Sequence, residues 1–342
     1  METKGVKVSI IIPVYQVSVY IERCIKSVLN QTYQDIECII VDDATQDDSI
    51  EKCEKCIKEY NGPIQFIIIH HGVNRGLSAT RNTGTKSASG EYLYYLDGDD
   101  YISVDCIEKL VSYALEDETI EMVQGNHIRI CDGEEEIKRM GYVRIADNDD
   151  ARRLFYDLHH IQVYVWNKLL KRSFVVENHL YCKEGIINED DLWSFYLLKC
   201  LRNAYLCDSV TYYYHIRPNS IMTGSDGVCV GNSFVAIYNE ILDNLSEKKE
   251  REELYGHLYT FCKRYLVYFK DAAALSGTMD LYKKRAVQYR CWLMASILIF
   301  VYLFRFIRKS ISILQKLKNI RLFIVKERQF MSLQNQIFIS NH

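Results

Sequence analysis

Lys7-Val8-Ser9-Ile10-Ile11-Ile12 is a short, β-branched and nearly unbroken apolar run, the pattern of a strand covered on both faces. Pro13 ends the strand in this reading. Beyond it Ile21, Ile25, Val28 and Leu29 recur at helical spacing, with Ser18 ahead of them as N-cap, which predicts an amphipathic helix. Residues 36–41 form a second strand, Ile50, Cys53, Ile57 and Tyr60 mark a second helix, and residues 64–69 form a third strand. Residues 77–89 read as a third helix closed by Gly90, and residues 91–96 as a fourth strand running into Asp97. The order βαβαβαβ predicts an α/β fold, a parallel sheet with helices on both faces.

In such sheets ligands bind beyond the carboxyl ends of the strands. Polar residues gather there: Tyr15 after Pro13-Val14, then Asp42-Asp43, His70-His71 and Asp97-Gly98-Asp99-Asp100. No Gly-x-Gly-x-x-Gly follows the first strand, which argues against a nicotinamide-dependent oxidoreductase. Asp97, Asp99 and Asp100 repel one another unless a cation or basic side chains compensate, so the turn suits Mg²⁺ or Mn²⁺ completed by waters and substrate phosphates. A plain acidic turn is the alternative, since Asp-Gly is a common turn dipeptide.

Composition narrows the classes. Of 342 residues, 48% are hydrophobic and 25% charged, which suits a folded chain of roughly one to three domains and excludes disorder. Forty-two basic against forty-five acidic residues give a net charge of −3, so no nucleic-acid partner is expected. The twelve cysteines are scattered and no secretory signal precedes them, which predicts reduced thiols in a cytoplasmic setting. Cys53 and Cys56 have zinc-knuckle spacing without a second ligand pair and read as helix packing; His70-His71 and His159-His160 read as structural or surface residues. The acidic stretch 132–136 reads as a solvated loop.

Charge is uneven along the chain: residues 283–328 hold twelve Lys or Arg against one acid, Glu327. Within them the apolar run 291–304 would span about 21 Å as a helix, short of the ~30 Å hydrocarbon core. Its basic flanks suit a segment lying on an anionic membrane surface; a buried core helix or a partner contact fits the same pattern.

Taken together, Ile11-Ile12-Pro13-Val14-Tyr15, Gln31-Thr32-Tyr33, Val41-Asp42-Asp43, the segment from Asn74-Arg75-Gly76 through Arg81-Asn82-Thr83-Gly84, Gly90-Glu91-Tyr92 and Asp97-Gly98-Asp99-Asp100 closely resemble family 2 glycosyltransferases of the GT-A fold, of the bacterial polysaccharide-biosynthesis type. The likeness continues through Trp166-Asn167-Lys168-Leu169, Asn188-Glu189-Asp190-Asp191 and Tyr212-Tyr213-Tyr214-His215-Ile216-Arg217 to about Thr223. It implies a GT-A domain over residues 1–225, with a nucleotide-sugar half (1–100) and an acceptor-side half (101–225), followed by a helical C-terminal region (226–342).

The resemblance also implies roles. Asp42 and Asp43 match acids that recognise the nucleotide base, with Pro13 and Tyr15 lining the pocket, and Arg81 matches a basic residue that meets nucleotide or phosphate charge. Asp97 and Asp99 match the DxD element that holds Mn²⁺ or Mg²⁺ on the donor diphosphate, Asp99 as direct ligand. Asp190, beside Glu189, matches the base that deprotonates the acceptor hydroxyl; without the resemblance both would read as helix-start acids. His215 stands where relatives often carry Arg, and Arg217 is the substitute charge. The expected activity is inverting transfer from a nucleotide-sugar, a UDP-sugar, to a growing and lipid-linked glycan, by a cytoplasmic protein peripheral on the inner face of the cell membrane. The alternative is a non-catalytic nucleotide-sugar or glycan-binding module.

Overall fold

Side chains alternate along a strand, and the first strand shows it at once. Ile10 and Ile12 pack with Cys24, Ile25 and Val28 of α1 (Ile21–Leu29) and with Cys53 of α2 (Ser49–Lys58), whereas Ile11 joins Ile39 and Leu93 in a second core on the other face. The computed structural model describes residues 5–131, 133–139, 141–156, 160–217 and 227–244. The chain divides into units 1–224 and 225–342; in the second, α8 (Gly227–Asp243) is the described helix.

β1 (Val8–Val14) lies between β2 (Ile36–Asp42) and β4 (Tyr92–Tyr95), and β3 (Gln65–His70) borders β2, giving a parallel order β3-β2-β1-β4. α3 (Leu77–Ser87) crosses the Ile11 face so closely that a Cβ on Gly84 would stand 2.3 Å from Ile11 Cγ2. Glycine at this position is what lets helix and sheet touch.

The acceptor-side half turns the sheet mixed. β9 (Lys168–Lys171) enters antiparallel between β4 and β6 (Met122–Cys131), β10 (Ala204–His215) runs parallel to β6, and β5 (Tyr101–Ile102) borders β10. β7 (Glu134–Lys138) and β8 (Val143–Ile145) pair with β6 and β10. α4 (Cys106–Ala114) joins the first core, and α5 (Asn148–Tyr156), α6 (Arg172–Glu177) and α7 (Glu189–Cys200) bury Leu154, Phe174 and Trp193 in the second.

Three local expectations are corrected. Pro13 does not end the first strand but pairs with Val41 inside it. Ile11 O accepts from Leu96 N on the β4 side and Val14 O from Asp43 N on the β2 side, so Pro13 faces the flank where β4 has already ended. A missing N–H costs nothing there. Ser18 does not cap α1, whose N-cap position is Tyr20 without a side-chain bond; Ser18 Oγ instead donates to Asp48 and accepts from Lys52 Nζ at 2.7 Å. Most of the acidic stretch forms the exposed hairpin strand β7, where Glu136 meets Arg129 and Lys138 across a solvated edge; Asp132 lies outside the described residues.

At the end of the sheet remote from those acids, Glu37 ties β1, β2 and β4 together. It accepts from Ser9 Oγ (2.5 Å), Ser89 N (2.6 Å), Ser89 Oγ (2.7 Å) and Gly90 N (3.0 Å), and pairs with Lys7 Nζ at 3.0 Å. A Cβ on Gly90 would lie 2.6 Å from Ser9 Oγ and 2.7 Å from Lys7 O, so the knot requires glycine. Although burial opposes ionisation, these donors hold the Glu37 carboxyl at about 2, below its ordinary 4.5.

Candidate active site

Asp42 ends β2 and Asp43 follows it, so their side chains leave on opposite sides. Each meets a histidine from the end of β3. His70 Nδ1 lies 2.9 Å from Asp42 Oδ2, and His71 Nδ1 lies 2.7 Å from Asp43 Oδ1. Asp42 Oδ1 accepts from Thr45 N at 2.9 Å; Asp43 accepts from Arg75 N at 2.9 Å and Gly76 N at 2.7 Å. Asp43 thereby fixes the loop that opens α3, and His71 Nε2 reaches Thr83 of that helix at 2.9 Å. The histidines, set aside as structural or surface residues, turn out to be partners of the two expected base-recognition acids. Pro13 is buried in β1 beneath this rim, Tyr15 is 40% exposed above it, and Gln16 N donates to Thr45 Oγ1 at 2.8 Å, joining the loops after β1 and β2.

One turn into α3, Arg81 is 1% exposed. Its Nη2 donates to Asp97 Oδ1 at 2.8 Å and Oδ2 at 3.1 Å; its Nη1 donates to Glu189 Oε1 at 2.7 Å and Asp190 Oδ1 at 3.3 Å. Arg81, expected to meet nucleotide or phosphate charge, gives its fork to three carboxylates from two distant parts of the chain. It thus fixes the turn after β4 to the start of α7. Asn188, left-handed at φ 62°, occupies the N-cap position of α7 and precedes both acids. Burial and the neighbouring Glu189 charge push the Asp190 carboxyl well above its ordinary value, with Arg81 opposing. Of the two α7 acids that Arg81 meets, Asp190 is the accessible one, its side chain 28% exposed against 7% for Glu189.

The acids of the β4–β5 turn separate by environment. Asp100 points inward with no exposure, accepting from Tyr212 OH at 2.7 Å and His215 N at 2.7 Å, so both its oxygens are engaged. Asp97 and Asp99 keep 19% and 20% of their side chains accessible, and Asp99 Oδ2 accepts from Arg217 Nε at 2.6 Å. Burial and the Asp97 charge push the Asp99 carboxyl up, a cost that a cation would relieve. Among the described residues, no group of three or more His, Cys, Asp or Glu side chains is arranged to hold a metal ion. Two accessible hard oxygen donors on one turn still fit Mg²⁺ or Mn²⁺ whose remaining ligands are water and phosphate. Trp166 offers no open sugar platform: it is 6% exposed and stacked 3.5 Å from Tyr164 and 4.4 Å from Tyr212.

A mixed α/β sheet with an acid-lined rim at the carboxyl ends of its parallel strands is the architecture of the GT-A class. S. aureus TarS residues 1–349, solved in complex with UDP-GlcNAc, superposes with a TM-score of 0.68 over 94% of this chain and 92% of that one, at 17% identity. The family model for glycosyl transferase family 2 matches residues 9–176. Putative glycosyltransferase EpsH of Bacillus subtilis is 31% identical over 275 residues, covering 76% of this chain and 75% of EpsH. Uncharacterized glycosyltransferase EpsJ of the same organism is 33% identical over 224 residues, 63% of this chain and 62% of EpsJ, so the chain spans less than two thirds of that relative. The chain belongs to glycosyltransferase family 2.

No helix among the described residues is long and apolar enough to cross a membrane. His159 and the basic, apolar segment with its run 291–304 lie outside the described residues.

Proposed function

We propose that the chain transfers a sugar from a UDP-sugar to a growing, lipid-linked glycan with inversion at the anomeric carbon. The observation that carries this reading is the Arg81 fork, which ties the accessible Asp190 carboxylate to Asp97. The base and the DxD turn are thereby parts of one site. In the reaction the acceptor oxygen attacks the anomeric carbon, its proton passes to Asp190, and the bond to the nucleoside diphosphate breaks on the opposite side. A divalent cation on Asp99, with Asp97 beside it, would supply counter-charge for the departing diphosphate. Asp42 and Asp43 lie at the rim where a base would sit, and a carboxylate there can accept a uracil imide N–H. UDP-GlcNAc bound to TarS supports the choice of a uridine donor. The basic tail supports peripheral attachment to the cytoplasmic face of a membrane, where a lipid-linked acceptor would be presented.

A panel of UDP-, GDP- and TDP-sugars with Mn²⁺, read as released nucleoside diphosphate with and without glycan acceptors, tests the reading. Turnover of a UDP-sugar that needs both acceptor and cation is expected. Donor binding without turnover across the panel would favour the non-catalytic module.

A further inference from the structure

The acids of the Asp97–Asp100 turn are already engaged by the protein itself. Asp97 gives both oxygens to Arg81 Nη2, at 2.8 and 3.1 Å, and Asp100 gives its two to Tyr212 OH and His215 N. Asp99 Oδ2 accepts from Arg217 Nε at 2.6 Å. The scheme above asks Asp99 to hold a cation, so the Arg217 guanidinium stands on the ligand that the cation needs.

The turn has little freedom to take Asp99 elsewhere. Asp99 O accepts from Arg23 Nη2 at 3.1 Å, and Arg23 lies 4.4 Å over the Tyr101 ring, which is itself stacked on Tyr213 at 4.5 Å. Asp100 N donates to Asp97 O at 3.0 Å, and Asp97 N donates to Tyr212 OH at 3.2 Å. Helix α1 and strand β10 thus hold the turn from two sides, and it is a guanidinium that must give way. Arg81 is 1% exposed and shared with Glu189 and Asp190, so it stays. Arg217 lies two residues beyond the end of β10 with 17% of its side chain accessible, and its contact with the Tyr20 ring, 5.8 Å from the centroid, costs little to give up.

A hard cation and a guanidinium cannot both take Oδ2. A cation on the other Asp99 oxygen would face Arg217 across one carboxylate, where like charges repel. A diphosphate adds oxygen ligands and negative charge, which favours the ion over the arginine.

We propose that Arg217 is the resident counter-ion of Asp99 and competes with the divalent cation for it, so that the cation binds tightly only together with the donor diphosphate. The inference rests on the reading of Asp99 as the cation ligand.

Mn²⁺ binding to the full chain, followed by the electron paramagnetic resonance of the free ion, tests this without turnover. In the absence of nucleotide, Arg217→Gln should bind Mn²⁺ about tenfold more tightly than wild type, the size expected from losing one charge-assisted hydrogen bond. Saturating UDP should then tighten Mn²⁺ binding by a smaller factor in the variant than in wild type, because the competitor is already gone. Arg217→Lys keeps a positive charge beside Asp99 and should stay within about threefold of wild type. Arg217→Met repeats the titration should Arg217→Gln not fold. Equal or weaker Mn²⁺ binding in the variants that remove the charge overturns the proposal. A gain of the same size in Arg217→Lys, or one that survives Asp99→Asn in the same chain, overturns it as well. If wild type binds no Mn²⁺ even with UDP, the cation reading of Asp99 fails and takes this inference with it; if it binds and Arg217→Gln gains nothing, the inference alone fails.

Discussion

Replacing Arg81 by methionine removes the one group that holds Asp97, Glu189 and Asp190 together while roughly keeping its volume. Breaking a buried ion pair by deleting one partner costs about 3–5 kcal/mol, because the remaining charge stays behind. Asp97 and Asp190 keep 19% and 28% of their side chains accessible and can partly rehydrate, which favours the lower end, about 3 kcal/mol. Without the guanidinium, the Glu189 and Asp190 carboxyls rise further above their unfolded values. A carboxyl raised in the folded state gives stability that is full below the unfolded value and lost as pH climbs through the folded one. The Arg81→Met penalty should therefore be largest near pH 8 and shrink by roughly 1–2 kcal/mol at pH 5. Arg81→Lys keeps the charge, but one ammonium cannot span Asp97 and Glu189, so about half the penalty should remain. Urea unfolding of the three proteins at both pH values measures these differences. A penalty under about 1 kcal/mol at pH 8, or one independent of pH, would refute the claim that the fork holds the site together.

Three further outcomes are expected. Glu37→Gln should remove the acid sensitivity that Glu37 confers: its depressed value, about 2 against 4.5, means stability present above pH 4.5 and lost as pH falls toward 2. That span is worth about 3 kcal/mol, and an equally steep acid limb in the variant on chemical unfolding would contradict it. Gly84→Ala should lower the melting temperature, because its methyl meets Ile11 at 2.3 Å and overpacking costs about 1–3 kcal/mol; an unchanged melting temperature would mean that α3 is free to shift. The proposed membrane attachment predicts that removing residues 281–342 shifts the protein from the membrane to the soluble fraction of a cell lysate, and unchanged partitioning would argue for a core helix or dimer contact instead.

How far the fold can be read from the chain follows from the range of the forces involved. The residue run 7–12 announces a buried strand because both its faces are apolar, and helix spacing between such runs leaves few topologies. Pro13 misleads because its tolerance depends on where β4 stops, a fact of tertiary pairing. The acceptor-side half is harder still. β9 is four residues long, half of them lysine, and β10 pairs with β6 through two register shifts, so neither carries a clean period. The acids after β2 and β4 are legible because four strand ends must share one rim. Their partners are not: Arg81 meets Glu189 across 108 positions, and His71 meets Asp43 across 28, separations over which no local pattern extends. Only the ordered motifs of a family point to Asp190 in advance.

The most direct measurement pairs two assays on Asp190→Asn: isothermal titration with UDP in Mn²⁺, and turnover of the accepted UDP-sugar with its acceptor. UDP affinity within about twofold of wild type and turnover reduced by 10²-fold or more are predicted, since a positioned base contributes about 10²–10⁴. Wild-type turnover in that variant would contradict the account at its centre.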